Sequence, residues 1–130
     1  MSMSNWSENA MLNWAFNAST MPTRPTAWYV APHTADPGET GATAELTSSN
    51  DANFVRKSTT FGTATTGQAI SAGAVSWTPT AGSFVVTHLS IWDALTGGNC
   101  LASGALSVAR TVTNAAPLAI IAGDLVVSLD

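Results

Sequence analysis

Apolar positions fall into two rhythms along this chain. Near the start, Trp6, Ala10, Met11, Trp14 and Ala18 recur every three or four residues. That spacing gathers side chains on one face of a helix. Asn5 stands in front of the run as a cap, and Glu8, three residues on, completes a capping box. The pattern predicts a helix that ends near Asn17, before Ser19-Thr20-Met21-Pro22. Two tryptophans on one face of so short a helix call for cover, either from the protein's own sheet or from a neighbouring subunit.

Beyond Pro22 and Pro25 the period drops to two. Strands are expected at Thr26–Ala31, with Trp28 and Val30 on one face and Tyr29 on the other, then at Phe54–Phe61 and at Ala74–Thr78, which Pro79 ends. Phe84–Trp92 is the strongest. Val85, Leu89 and Ile91 fall on one face and Phe84, Val86, His88 and Trp92 on the other, so both faces are largely apolar and the strand is expected to be central in a sheet or covered on both sides. Asp93–Asn99 carries Gly97-Gly98 and forms the hairpin connection to Cys100–Val108. Thr111–Asn114 is a further short strand, and Leu125, Val127 and Leu129 alternate in a last one. Asp36-Pro37-Gly38 is a turn, since proline presets φ and glycine accepts a positive one. Frequent turn signals between short strands predict a mainly β fold. We expect an antiparallel β-sandwich or barrel-like single domain over 1–130, with the N-terminal α-helix and arm in 1–21 and the β domain in 22–130.

Composition sharpens this picture. Only 9% of the 130 residues are charged, while 18 threonines and 14 serines supply the polar surface. An average soluble domain is about 25% charged. Low charge density weakens repulsion between copies and suits a protein packed against neighbours. The basic residues are Arg24, Arg56, Lys57 and Arg110 against a net charge of −4, which leaves no basic stripe for nucleic acid. No apolar run reaches the length of a membrane span, and no signal-peptide pattern opens the chain. The lone Cys100 has no partner for an internal disulfide, as expected of a chain folded in a reducing cytoplasm.

Several segments together resemble a family of small tailed-bacteriophage proteins labelled phage tail fibre proteins. They are the opening Ser4-Asn5-Trp6-Ser7-Glu8-Asn9-Ala10-Met11-Leu12-Asn13, then Tyr29-Val30-Ala31 with His33-Thr34-Ala35-Asp36-Pro37-Gly38-Glu39-Thr40-Gly41, Phe61-Gly62, Val86-Thr87-His88, Ile91-Trp92-Asp93-Ala94 with Thr96-Gly97-Gly98-Asn99, and Ala122-Gly123-Asp124-Leu125. One element departs from the family pattern. The family has Glu-Val-x-Gly-Gly-x-Tyr-Ala-Arg after the acidic turn. Here the span from Glu45 to Arg56 lacks the glycine pair, and Asn50, Asp51 and Asn53 are the residues that tolerate a left-handed bend. The resemblance implies a virion structural protein without catalytic residues or cofactor. Its implied partners are other copies of itself, a trimer among the arrangements, and phage tail proteins. Capsid decoration of the phage head is the alternative mounting, and a module that binds host cell-surface glycan a second alternative.

Candidate chemistry is sparse. His33, Asp36 and Glu39 lie within seven residues, but a calcium loop brings more carboxylates at fixed spacing, and a solvated turn is the simpler reading, so no metal is assigned. His88 and Asp93 have no Gly-x-Ser-x-Gly elbow to complete a triad. Asp36, Glu39, Glu45, Asp51 and Asp93 lie in turns and loops rather than in a paired arrangement for glycoside hydrolysis. The residues taken as interaction candidates are Trp6, Met11 and Trp14 on the helix, Asp36 and Glu39 in the acidic turn, Asn50 and Asp51 in the departing element, and Trp77, the strand tryptophan to test for surface exposure.

Overall fold

The computed structural model describes residues 1–129. Among them, one helix and nine strands follow in the order β1 (Ser2–Met3), α1 (Asn5–Phe16), β2 (Trp28–His33), β3 (Lys57–Thr59), β4 (Gln68–Ile70), β5 (Val75–Trp77), β6 (Ser83–Trp92), β7 (Cys100–Thr113), β8 (Leu118–Ile120) and β9 (Val126–Ser128). A five-stranded antiparallel sheet runs β1-β7-β6-β2-β3, and two ribbons, β4-β9 and β5-β8, complete the strands. The architecture is mainly β, with antiparallel sheets, one N-terminal helix and no closed barrel.

The main core lies between the large sheet and the β5-β8 ribbon. Val30, Val86, Leu89 and Val112 come from the sheet, Val75, Trp77, Leu118 and Ile120 from the ribbon, and Phe54 from a loop. Phe54 meets Phe84 edge to face, with ring centroids 4.8 Å apart.

β6 is the central strand, as its two apolar faces require, but its faces are not those of simple alternation. Val86 pairs with Arg110 and His88 with Ala105, so Thr87 stands opposite the four β7 residues 106–109. This bulge shifts the parity of the strand. Phe84 and Val86 before it share the core with Leu89 after it, while Val85 is 49% exposed. Ser90 and Trp92 turn to the opposite face.

Three further expectations are corrected. Phe54–Phe61 is not one strand; the strand is confined to Lys57–Thr59, with a single bridge from Phe61 to Ser71 beyond it, because Phe54 is held in a turn by the Asp51 carbonyl and Arg56 is drawn to Glu45. Thr111–Asn114 is no separate strand, since β7 runs unbroken to Thr113. The first residues, grouped with the helical arm, instead form β1 on the edge of the sheet.

The helix is capped by Ser4 rather than Asn5. The Ser4 Oγ accepts from the Ser7 N–H and donates to the Cys100 carbonyl. The Ser7 Oγ donates to the Leu101 carbonyl at 2.8 Å, and the Ser4 N–H bonds to the same carbonyl at 3.0 Å. The first turn is thus riveted to the start of β7. The predicted stripe of Trp6, Ala10 and Trp14 is real, but the protein's own sheet does not cover it to its end. Trp6 and Ala10 are half-buried, whereas Trp14 is 62% exposed and Phe16 83%.

The cap assignment is testable by urea unfolding. Ser4→Ala removes a cap and strands a buried carbonyl, and is expected to cost about 1–3 kcal/mol. Asn5→Ala is expected to change stability by less than about 0.5 kcal/mol. The reverse order would return the cap to Asn5.

Candidate functional site

Polar chemistry concentrates on the face of the large sheet opposite the main core. His33 closes β2 and is fully buried. Its Nδ1 lies 2.7 Å from the Thr43 carbonyl, which can only accept, so Nδ1 carries the proton. Nε2 then accepts from the Ser90 hydroxyl at 2.7 Å, and the Ser90 Oγ accepts from the Trp92 indole N–H at 2.7 Å. Burial holds the His33 imidazole below its ordinary pKa, keeping it neutral, against smaller opposing effects of the Thr43 bond and Glu45.

Beside this chain of bonds, the Arg56 guanidinium lies 3.7 Å over the Trp92 ring. It grips Glu45 through Nε at 2.8 Å and Nη2 at 3.0 Å. Its Nη1 donates to the carbonyls of Ala94 and Gly97, in the turn between β6 and β7. Gly41 closes against the other edge, with a positive φ of 72° and no room for a side chain beneath Cys100 and Trp92.

The Ser90–His33 contact has the spacing of a nucleophile and its base, and sequence spacing gave no hint of it, since 57 residues separate the two. Neither residue has accessible surface, and the second imidazole nitrogen serves a backbone carbonyl rather than a carboxylate. The Cys100 thiol, pushed up to about 11 by burial, stays protonated. The cluster can hold loops; it presents no group to a substrate.

The residues singled out from sequence are scattered. Asp36 accepts from the Gly38 N–H at 2.9 Å, the self-contained turn expected of it, and Glu39 accepts from the Asn5 N–H at the start of α1. Among the described residues no three His, Cys, Asp or Glu side chains gather as a metal site, and both nitrogens of His33 are already engaged. Asn50 folds onto the Thr47 N–H. Asp51 is a clamp: it accepts from the Asn53 N–H, the Thr80 N–H and hydroxyl, and the Ala81 N–H. Those bonds, led by the Thr80 hydroxyl, hold its carboxyl below the ordinary value. Trp77 is 1% exposed, with its indole N–H on the Val55 carbonyl at 2.8 Å. Met11 is half-buried, and Trp14 alone of the eight presents a large apolar surface.

Sequence reasoning missed the neighbours of Trp14. Leu12 is 55% exposed, Phe16 more so, and Met21 follows in the connecting segment. Leu12 and Phe16, four residues apart, share a face away from the Trp6–Ala10–Trp14 stripe. Apolar residues on two faces were the available signal that the helix needs cover from more than one side.

A family model described as podophage GP4 fiber I protein gp80 matches residues 2–128. The chain belongs to that family. It is a phage fiber protein, a tail-associated structural component of the virion and not an enzyme. No curated protein matches it. The tail therefore takes precedence over the capsid surface as the mounting of this fiber protein. Its departing element is also explained. Glu45 and Arg56, the two ends of that span, are the partners of the ion pair, and the loop between them is closed by Asx bonds. The left-handed bend expected at Asn50, Asp51 or Asn53 does not occur; the positive φ values of non-glycine residues fall at Ala18, Ala44 and Thr66.

Two predictions follow from this packing. A Cβ on Gly41 would sit 2.6 Å from the Cys100 Sγ and 2.8 Å from the Trp92 Cζ2, whereas one on Gly38, at a similar φ of 70°, would meet nothing within 4 Å. Gly41→Ala is expected to cost about 2–4 kcal/mol and Gly38→Ala about 1 kcal/mol; equal costs in denaturant titrations would remove the packing argument. In acid, stability should fall in two steps. Below pH 6.5 the unfolded chain protonates His33 while the folded chain resists, so stability present above 6.5 declines as the pH drops toward the lowered folded value. Asp51 adds stability that is present above pH 3.8 and is lost as the pH falls through its own lowered value. Imidazole titration by NMR checks the first step: the His33 midpoint should fall below 6.5, and a midpoint at or above 6.5 would refute it.

Proposed function

We propose that this fiber protein acts by self-assembly, with the overhanging end of α1 as its contact element and the sheets as the rigid body that presents it. One observation supports the reading most strongly. The helix is fastened to β7 only through its first turns, and it then carries Leu12, Trp14 and Phe16 beyond the cover of its own sheet. Large aromatics left in water at a helix end find their cover on another molecule. The low charge density of the chain weakens the repulsion that would oppose contact between like copies. Recognition of the rest of the tail then rests on the assembled unit, in which weak contacts are repeated from copy to copy.

Light scattering on the purified protein tests the assembly. The chain is 13.3 kDa, and the intact protein is expected at a multiple of that mass. The double variant Trp14→Ser/Phe16→Ser should shift it toward 13.3 kDa while leaving its thermal unfolding nearly unchanged, because both side chains are exposed. An intact protein that stays monomeric at high concentration would overturn the proposal.

A further inference from the structure

The same chain that carries an uncovered helix also carries an open apolar groove. It has a volume of about 570 Å³ and lies between the large sheet and the β4-β9 ribbon. Trp28 and Phe61, which meet edge to face with 6.4 Å between centroids, line it together with Ile91, Leu101 and Val127. Arg24 stands at the rim and has no acidic partner among the described residues. This is the one basic residue along a surface otherwise made of apolar and hydroxyl groups.

The helix has the complementary pattern. Glu8, Leu12 and Phe16 recur at intervals of four and so line one face. Glu8 is the only charged residue of α1, is exposed, and has no basic partner among the described residues. The face therefore reads as one acid followed by two apolar side chains, and the groove as one base beside an apolar trough. Met3 lines both this groove and the cleft beside Glu8, Met11 and Leu12, so the two features adjoin on one side of the molecule.

Resting on the self-assembly reading, we propose that the groove of one copy receives the α1 face of a second copy, with Leu12 and Phe16 in the apolar trough and Glu8 paired with Arg24. The charge pair fixes the direction of the incoming helix, and the apolar contacts supply the affinity. The intact end of α1 and the open groove are then the two halves of a single interface, each uncovered in the isolated chain because its occupant belongs to another molecule.

Charge exchange tests this on the full-length protein by sedimentation equilibrium. Glu8→Arg and Arg24→Glu should each weaken self-association about fivefold, and the double variant Glu8→Arg/Arg24→Glu should restore it to within about twofold of the original. Ala64→Arg places a long side chain in the groove from an exposed position on its wall and should reduce association at least tenfold without lowering the melting temperature. If Trp14→Ser/Phe16→Ser breaks the oligomer while Ala64→Arg and the charge variants do not, α1 docks elsewhere; the groove assignment fails and the self-assembly reading stands. If no variant changes the mass of an intact monomer, both fail. If Ala64→Arg leaves association intact but abolishes binding to a panel of bacterial surface glycans, the groove holds sugar and the assignment is likewise overturned.

Discussion

The Arg56 guanidinium is the constraint on which the rest of this molecule is arranged. It is one of only four basic residues, and its side chain is 9% exposed. A cation placed there must have every donor occupied or it would force the site open. Glu45 supplies the countercharge, the Ala94 and Gly97 carbonyls take one nitrogen, and Trp92 takes the flat face. Two separate stretches of chain, at Glu45 and at 92–97, converge on one planar group. A lysine could not replace it, because a point charge cannot hold a carboxylate in two bonds and stack on an indole together.

That arrangement depends in turn on the bulge at Thr87. Strict alternation would place Trp92 on the same face as Val86, in the main core and out of reach of Arg56. The register change lets one strand serve two clusters, with Val86 and Leu89 in the apolar core and Ser90 and Trp92 on the polar side. Trp92 then bonds to Ser90, Ser90 to His33, and His33 to Thr43 in the loop that follows the acidic turn. Every buried polar side-chain atom among the described residues has a partner. The network is closed, which is why a serine and a histidine in contact do no chemistry here.

Much of this was legible in the residues and some was not. The helix, the central place of β6, the hairpin at Gly97-Gly98 and the acidic turn follow from local periodicity and turn chemistry, which one stretch of sequence carries by itself. The strand faces of β6 did not follow, because a bulge is set by the pairing partner, and β7 lies beyond the hairpin. Phe54–Phe61 looked like a strand for its apolar content, yet its residues answer to partners far away: Phe54 to the core, Arg56 to Glu45. The ribbons β4-β9 and β5-β8 join segments more than forty residues apart through three pairs each, too short to leave a period. Trp77 and Asp51 show the same limit. Each looked available for contact and each is consumed in closing a loop.

The surface that remains accounts for where the proposed contact residues lie. Strands coated with serine and threonine offer water many hydrogen bonds and a partner little to grip. Affinity in such a protein has to come from a few large apolar groups placed outside the fold. Each aromatic side chain brings roughly 150–250 Å², while a stable contact covers about 800 Å² on each partner. Trp14 and Phe16 alone therefore fall short, and an interface built on them has to spread onto a second apolar area. The helix could have been folded back onto its own sheet, which would have hidden that surface within one chain. Its fastening at Ser4 and Ser7 fixes its start and leaves its end projecting, so in the proposed assembly the apolar surface that one copy leaves unburied is the surface offered to the next.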